Sequence, residues 1–359
     1  MIKKTKYSSY CLNGIADGCK KCVVGKKLVL FISGICSEKC WYCSLSEKRK
    51  NKDIIWVNER KCLNVVDMIK EAKESNAKGC GITGGDPLLF LKRTLTYARA
   101  LKRKFGKKFH IHIYLPTKLV DEKKLKKLSK VIDEVRFHPK FLIDKKKEKQ
   151  DIKKIKLAKK FWKKENIGIE LPLIPELKRE ILNFILKVKE DIGFVNLNEL
   201  EISDTNFNIV TKRYKLKENG YVVADSKKAG LWVLGELKKN KIKLKLHLCT
   251  AELKNWHQYK NRLLRHKILP FSKRTRDGTI IYFAVNGKIQ KIPAGIFCLS
   301  KSATANNTDL QINSGYYDKK KKRTIIPAGR IRKLKNRYKI LRIEEYPTYD
   351  RDEVERWEI

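Results

Sequence analysis

Three cysteines stand in the pattern Cys36-x3-Cys40-x2-Cys43, on a stretch rich in polar residues that follows an apolar run. Three thiolates this close can each hold one iron of a cubane, and iron–sulfur cubanes ordinarily take four cysteines. A three-thiolate loop therefore leaves one iron open to a ligand from outside, which suits a metal that does chemistry. A zinc knuckle is the competing reading, but zinc asks for four ligands, usually as two paired motifs.

A second constellation is Thr83-Gly84-Gly85-Asp86-Pro87. Asp86 can cap a helix and Pro87 can occupy its first position. The paired glycines ask for more, because they let backbone come close to a ligand. A third set lies upstream: Cys11, Cys19 and Cys22, which lack the usual fourth ligand. Cys249, at the end of a late strand-like run, would complete it, so these four thiols are expected as a second metal site, either a second iron–sulfur cluster or zinc. Cys62, Cys80 and Cys298 are isolated and are expected to be small packing residues.

These groups must be positioned by something, and the chain between residues 27 and 249 alternates strand-like runs with amphipathic helices. Strands are expected near 28–32, 79–83, 109–115, 133–138, 167–171, within 194–203, and at 241–248. Helices are expected near 63–75, 88–104, 144–164, 176–191 and 226–239. Repeated strand-then-helix units build a parallel sheet. Several strands carry polar residues on one face: His110, His112 and Tyr114 on one, Glu134, Arg136 and His138 on the next, with Glu170, Glu201 and Ser203 further on. A dry doubly wound sheet would read as continuous apolar strands, so the expected fold is α/β, an open barrel with a polar lumen. Along the last strand Lys241, Lys243, Lys245, His247 and Cys249 share one face, which points Cys249 toward the barrel mouth.

The cysteine loop and the glycine turn, each at the end of a strand, together resemble the radical S-adenosylmethionine (radical SAM) superfamily. The likeness covers about residues 27–249. It implies a partial (β/α)6-type open barrel, with a [4Fe–4S] cluster on Cys36, Cys40 and Cys43. It implies S-adenosylmethionine (SAM) on the open iron, cleaved reductively to a 5′-deoxyadenosyl radical that takes hydrogen from a substrate. By the same likeness Tyr42 lies beside the adenine, and the turn Thr83, Gly84, Gly85, Asp86 binds the SAM ammonium, with Asp86 where Glu is usual. Strand-four residues help hold SAM, which makes Arg136 and His138 cofactor-binding candidates. An electron donor of flavodoxin or ferredoxin type is implied. Gly18-Cys19-x2-Cys22 and Glu345-Tyr346-Pro347-Thr348 further resemble archaeal-type proteins related to pyruvate formate-lyase activating enzymes, whose substrate is a partner protein.

Three units are expected: a cysteine segment over 1–26, a barrel over 27–266, and a small β-rich domain over 267–359. In the last, Asn286-Gly287 signals a hairpin between runs at 279–285 and 288–292, and Asn313-Ser314-Gly315 marks a further turn. The 359 residues hold 84 Lys+Arg against 39 Asp+Glu, a net charge of +45. That charge suits a polyanion, so RNA is the leading alternative substrate, with Tyr316-Tyr317 and the run from Lys319 to Arg323 as a stacking-and-cation patch. A non-catalytic, metal-stabilised nucleic-acid-binding protein is the reading outside enzymology. No apolar run approaches the roughly 20 residues needed to cross a bilayer, and the basic start leads into Tyr, Ser and Cys, so a cytoplasmic protein is expected.

Overall fold

The computed structural model describes residues 1–218, 220–289 and 315–359. Two compact units divide the chain, Met1–Arg262 and Leu263–Ile359. Cys298, the run at 290–292 and the turn at 313–314 lie outside the described residues.

The first unit begins with β1 (Lys3–Lys4), β2 (Tyr10–Leu12) and the short helix α1 (Asp17–Val23). Then come β3 (Lys27–Phe31), the hairpin β4 (Ile55–Val57) and β5 (Arg60–Cys62), and α2 (Val65–Glu74). The regular part continues with β6 (Gly79–Thr83), α3 (Leu91–Phe105), β7 (His110–Pro116), α4 (Glu122–Ser129), β8 (Glu134–His138) and α5 (Glu148–Leu157). It closes with β9 (Ile167–Leu173), α6 (Lys178–Val188), β10 (Phe194–Glu199), α7 (Phe207–Thr211), α8 (Ser226–Lys239) and β11 (Lys245–Cys249).

One 11-stranded sheet runs in the order β1-β2-β11-β10-β9-β8-β7-β6-β3-β4-β5. The strands from β3 through β6 to β11 pair in parallel in chain order. The fold is thus α/β with an open parallel sheet, and its seven parallel strands are one more than a (β/α)6 count. Two antiparallel pairs guard the edges, β4–β5 beside β3 and β1–β2 beside β11. The last parallel strand is therefore not an exposed edge; β2 covers it.

Apolar residues of α2 through α6 and α8 pack on one face of the sheet with Leu28, Leu30, Ile111, Ile113, Val135, Ile169, Leu197 and Leu246. The opposite face receives α1, which packs on β3, β6 and β7 and reaches Arg136 on β8 and Asn196 on β10 through Cys19. In a flat sheet with strands about 4.8 Å apart, β3 and β10 would stand about 24 Å from each other. A seven-residue helix is only about 10 Å long. The sheet must curl around it, and the N-terminal segment, too small to fold alone, is tied down inside that curl.

The basic helix expected over 144–164 is broken. Its α-helical part is Glu148–Leu157, flanked by 3₁₀ turns at Lys145–Lys147 and Ala158–Lys160. The break lets Trp162 bury its ring and donate its indole N–H to the Ile132 carbonyl at 2.9 Å. The late strand starts at Lys245 rather than 241, because Lys241 sits at φ 52°.

The second unit is a six-stranded antiparallel sheet: β12 (Lys273–Arg274), β13 (Ile280–Asn286), β14 (Tyr316–Asp318), β15 (Arg323–Ile326), β16 (Ile340–Glu345) and β17 (Glu353–Glu358). The Asn286-Gly287 turn does not fold β13 back on residues 288–289; β13 pairs with β15 and β16 instead. Arg323 leaves the proposed surface patch. It is buried and bonded to Glu345 at 2.6 Å and Glu353 at 2.7 Å.

Candidate active site

The loop carrying Cys36, Cys40 and Cys43 begins where β3 ends, and it is knitted to the turn after β6. Gly85 N–H donates to Ser33 O at 2.7 Å and Asp86 N–H to Ile35 O at 3.0 Å. This close contact is what the paired glycines permit. Gly84 has φ 146°, and a Cβ on Gly85 would stand 2.2 Å from Ile35 O. The Ser37 hydroxyl adds a 2.6 Å bond to Asp86 Oδ2, while Asp86 Oδ1 accepts from Leu88 N–H at 2.9 Å. Asp86 therefore caps a turn ahead of α3, which begins only at Leu91. Both of its oxygens are engaged within the protein.

The far side of the loop is clamped by the segment after β10. Thr205 Oγ1 donates to Leu45 O at 2.5 Å, Asp204 accepts from Glu47 N–H at 3.0 Å, and buried Asn206 donates to Tyr42 O at 3.2 Å. Trp41 stacks on Tyr214 at 6.3 Å between centroids, with Arg213 over its outer side. A loop of polar residues with little apolar content of its own is thus held from two directions.

A cavity of about 770 Å³ opens at the C-terminal ends of the strands, where active sites of such sheets gather. Cys36, Cys40, Tyr42 and Cys43 line it together with Thr83, Gly84 and Gly85, so the structure brings both motifs to one space. His138, Lys140, Glu170 and Asn198 add polar groups to its wall, as do Glu38, Tyr114, Glu201 and Lys254. His138 Nδ1–H donates to the Glu170 carbonyl at 2.9 Å, which leaves Nε2 to accept from the Tyr42 hydroxyl at 3.0 Å. Burial, reinforced by Lys140, pushes the His138 pKa down to about 3, so this ring is neutral and its tautomer fixed. Glu170 accepts from Asn196 at 2.7 Å, Asn198 at 2.8 Å and Arg136 at 3.1 Å.

Two expected cofactor residues are not brought to the cavity. Asp86 is 1% exposed and is spent on Ser37 and Leu88. Arg136 is also 1% exposed and lies deeper, bonded to Glu134 at 2.7 Å and to Glu170, beneath α1. Its type and strand face were legible, but not its depth along the strand. Cys249 likewise is buried under α1 rather than facing the mouth. Of the other polar-face residues, His112 and Tyr114 bond each other at 3.2 Å, Glu201 pairs with Lys254 at 2.8 Å, and Ser203 begins the clamp. Cys62 and Cys80 are buried packing residues.

Lys140 was missed by sequence reasoning. It follows His138 by two residues, on the same side of the chain, and that spacing was the available signal. Its ammonium stands 3.3 Å from Cys40 Sγ, and among the described residues no carboxylate pairs with it. A buried cation beside a sulfur favours the thiolate, the form that binds metal. Burial pushes the Cys36 thiol up to about 11, so that thiol would ionise on binding a metal. Glu38 Oε1 is buried on the cavity wall with no partner among the described residues. Thiols, an unmatched ammonium and an open cavity fit an iron–sulfur cluster with an organic ligand beside it.

Residues 30–188 match the family described as the Radical SAM superfamily. A Methanocaldococcus jannaschii protein named as a glycyl-radical enzyme activating enzyme is 38% identical over 286 residues, 77% of this chain and 75% of that one. Among solved structures, anSMEcpe with SAM bound matches at 17% identity over 61% of this chain and 60% of its own, with a TM-score of 0.40. Coproporphyrinogen III oxidase from Escherichia coli, a radical SAM enzyme, matches at 11% identity over 63% of this chain and 56% of its own, with a TM-score of 0.38. No helix among the described residues is long and apolar enough to cross a membrane.

Proposed function

The chain belongs to the radical SAM superfamily and is an enzyme, and from that premise we propose that Cys36, Cys40 and Cys43 hold a [4Fe–4S] cluster, that SAM occupies the adjoining cavity, and that a partner protein is the substrate. The observation that carries the reading is the single cavity lined by both the three thiols and the Gly84–Gly85 turn. When bound, the cluster and SAM supply reductive cleavage of the sulfonium and a 5′-deoxyadenosyl radical that removes hydrogen from the substrate.

The protein's own residues bind, orient and screen. Gly84 and Gly85 bring backbone polar groups to the cofactor's amino acid end. Tyr42, held by neutral His138, presents an aromatic wall for the adenine. Lys140 offsets the charge of the thiolates. Glu170, with its Asn196, Asn198 and Arg136 bonds, is a fixed acceptor on the far wall, placed for a ribose hydroxyl or a substrate amide. Asp86 serves by joining loop and turn, so both halves of the site move together.

A protein substrate is supported by the name of the archaeal relative, and an electron donor of flavodoxin or ferredoxin type is the co-reactant such chemistry requires. The RNA reading keeps exposed Lys319, Lys320 and Lys322 but loses Arg323, which is buried in an ion network. The test is anaerobic reconstitution with iron and sulfide, then reduction with SAM present. 5′-Deoxyadenosine is expected from the wild type, and a Cys40→Ala variant should lose about two orders of magnitude or more of that activity. A fully loaded wild-type protein that makes none overturns the proposal.

A further inference from the structure

Four thiols outside this cavity converge under α1. Cys19 and Cys22 are one turn apart on that helix and so share a face. Cys19 Sγ lies 3.3 Å from Arg136 and 3.8 Å from Asn196 Oδ1. The same Asn196 oxygen accepts from His247 Nδ1 at 2.7 Å. Cys11 is the direct antiparallel partner of His247 across the β2–β11 pair, which places both side chains on one face. Cys249 is two residues further along β11, on that face again. Diagonal neighbours of this kind are about 7–8 Å apart at Cα. Cys22 and Cys19 both lie close enough to Cys249 to act on it electrostatically. Helix α1, the covering strand β2 and the last parallel strand thus each bring thiols to one side of the sheet, Cys19 and Cys249 buried and Cys11 and Cys22 half-buried.

The charges around these thiols repeat what is seen at the first cysteine loop. There, Lys140 stands unmatched beside Cys40. Here, Lys27 approaches only His112 Nε2 at 3.4 Å and Tyr114 OH at 3.3 Å, with no carboxylate pairing among the described residues. Cys22 is its strongest favourable charge neighbour. Arg136 also approaches Cys19 at 3.3 Å, although it is paired with Glu134 and Glu170, and Lys254, near Cys249, is paired with Glu201. Lys27, buried without a carboxylate partner among the described residues, is the cation that metal-bound thiolates would compensate.

We propose that Cys11, Cys19, Cys22 and Cys249 bind a second iron–sulfur cluster of the four-cysteine kind, between α1, β2 and β11. The all-sulfur donor set selects iron–sulfur or zinc. Spacing favours the cluster. A tetrahedral zinc with Zn–S bonds of about 2.3 Å needs sulfurs about 3.8 Å apart, and no three of these thiols lie within 4.8 Å of one another. A cubane spreads its thiolates more widely. This site stands independently of what Cys36, Cys40 and Cys43 hold.

The test is the metal content of the full chain, reconstituted anaerobically, with the loop thiols replaced as Cys36→Ala, Cys40→Ala and Cys43→Ala together. About four irons and four sulfides per chain should remain, with a reduced-state paramagnetic signal that SAM does not alter. Adding Cys19→Ala, Cys22→Ala and Cys249→Ala should remove them. If the loop variant melts like the wild type yet holds no iron, or holds zinc instead, the proposal is overturned. Should that variant fail to fold, the wild-type count decides: about eight irons with two distinguishable signals support it, and about four irons with one SAM-responsive signal overturn it.

Discussion

His112 shows how much of the interior is held by uncharged polar groups. It is 1% exposed, bonds Tyr114 through Nε2, and leaves Nδ1 without a partner among the described residues. Burial, with Arg136 and Lys27 adding to it, lowers its pKa well below the usual 6.5. A depressed folded pKa means the unfolded chain holds the proton more tightly. Stability is therefore full above about pH 6.5 and falls as pH drops below it toward the folded pKa, by up to about 1.4 kcal/mol per pH unit for this one group. Urea midpoints of the wild type and of His112→Asn, measured from pH 7.5 to 5, should converge as pH falls. Parallel curves would show that His112 does not contribute. At this scale residue types were legible from alternation along β7 and β8, but depth was not. Arg136 and His138 alternate identically on paper, yet one is sealed beneath α1 and the other lines the cavity.

Helix α1 is the element least visible in the sequence. It has seven residues, no side-chain cap, and a glycine at its second position, so neither periodicity nor capping announces it. Its stability comes from burial against the sheet. Gly18 N–H donates to Glu134 at 3.1 Å, and a Cβ there would stand 2.4 Å from His112 Nδ1 and 2.7 Å from Arg136. Intrinsic propensity favours Gly18→Ala by up to about 1 kcal/mol, whereas overpacking costs about 1–3 kcal/mol. Net destabilisation of about 1–2 kcal/mol is expected in a urea titration, and a more stable variant would mean that α1 is not seated this way. The β4–β5 hairpin escaped notice for a related reason. Its turn uses Asn58-Glu59, with Asn58 at φ 52°, and lacks the Asn-Gly signature that makes such turns legible. Where Asn286-Gly287 did carry that signature, β13 found its partners elsewhere. Long-range pairing overrode a local preference.

For the whole molecule, the parallel order from β3 to β11 follows chain order, which is why strand–helix alternation sufficed to read it. The edge pairings join distant parts of the chain and left no local trace. The net charge of +45 acts at this scale too. Like charges spread over one chain repel in the folded state and are screened by salt. The melting temperature should therefore rise by several degrees between about 20 and 200 mM KCl in calorimetry. A fall would mean that surface ion pairs such as Lys160–Glu122 and Lys164–Glu190 outweigh the repulsion.

The antiparallel register of Cys11 with His247 has a consequence for synthesis. Strand β2, made before the parallel strands, completes its pairing only with the last of them. Until β11 emerges, β2 has no edge to join and α1 no closed surface to rest on, so the growing chain carries its first cysteines unburied through the making of the entire sheet. Closure is a late event with a high loop-entropy cost. It makes the arrival of β11 the moment at which the first unit becomes whole.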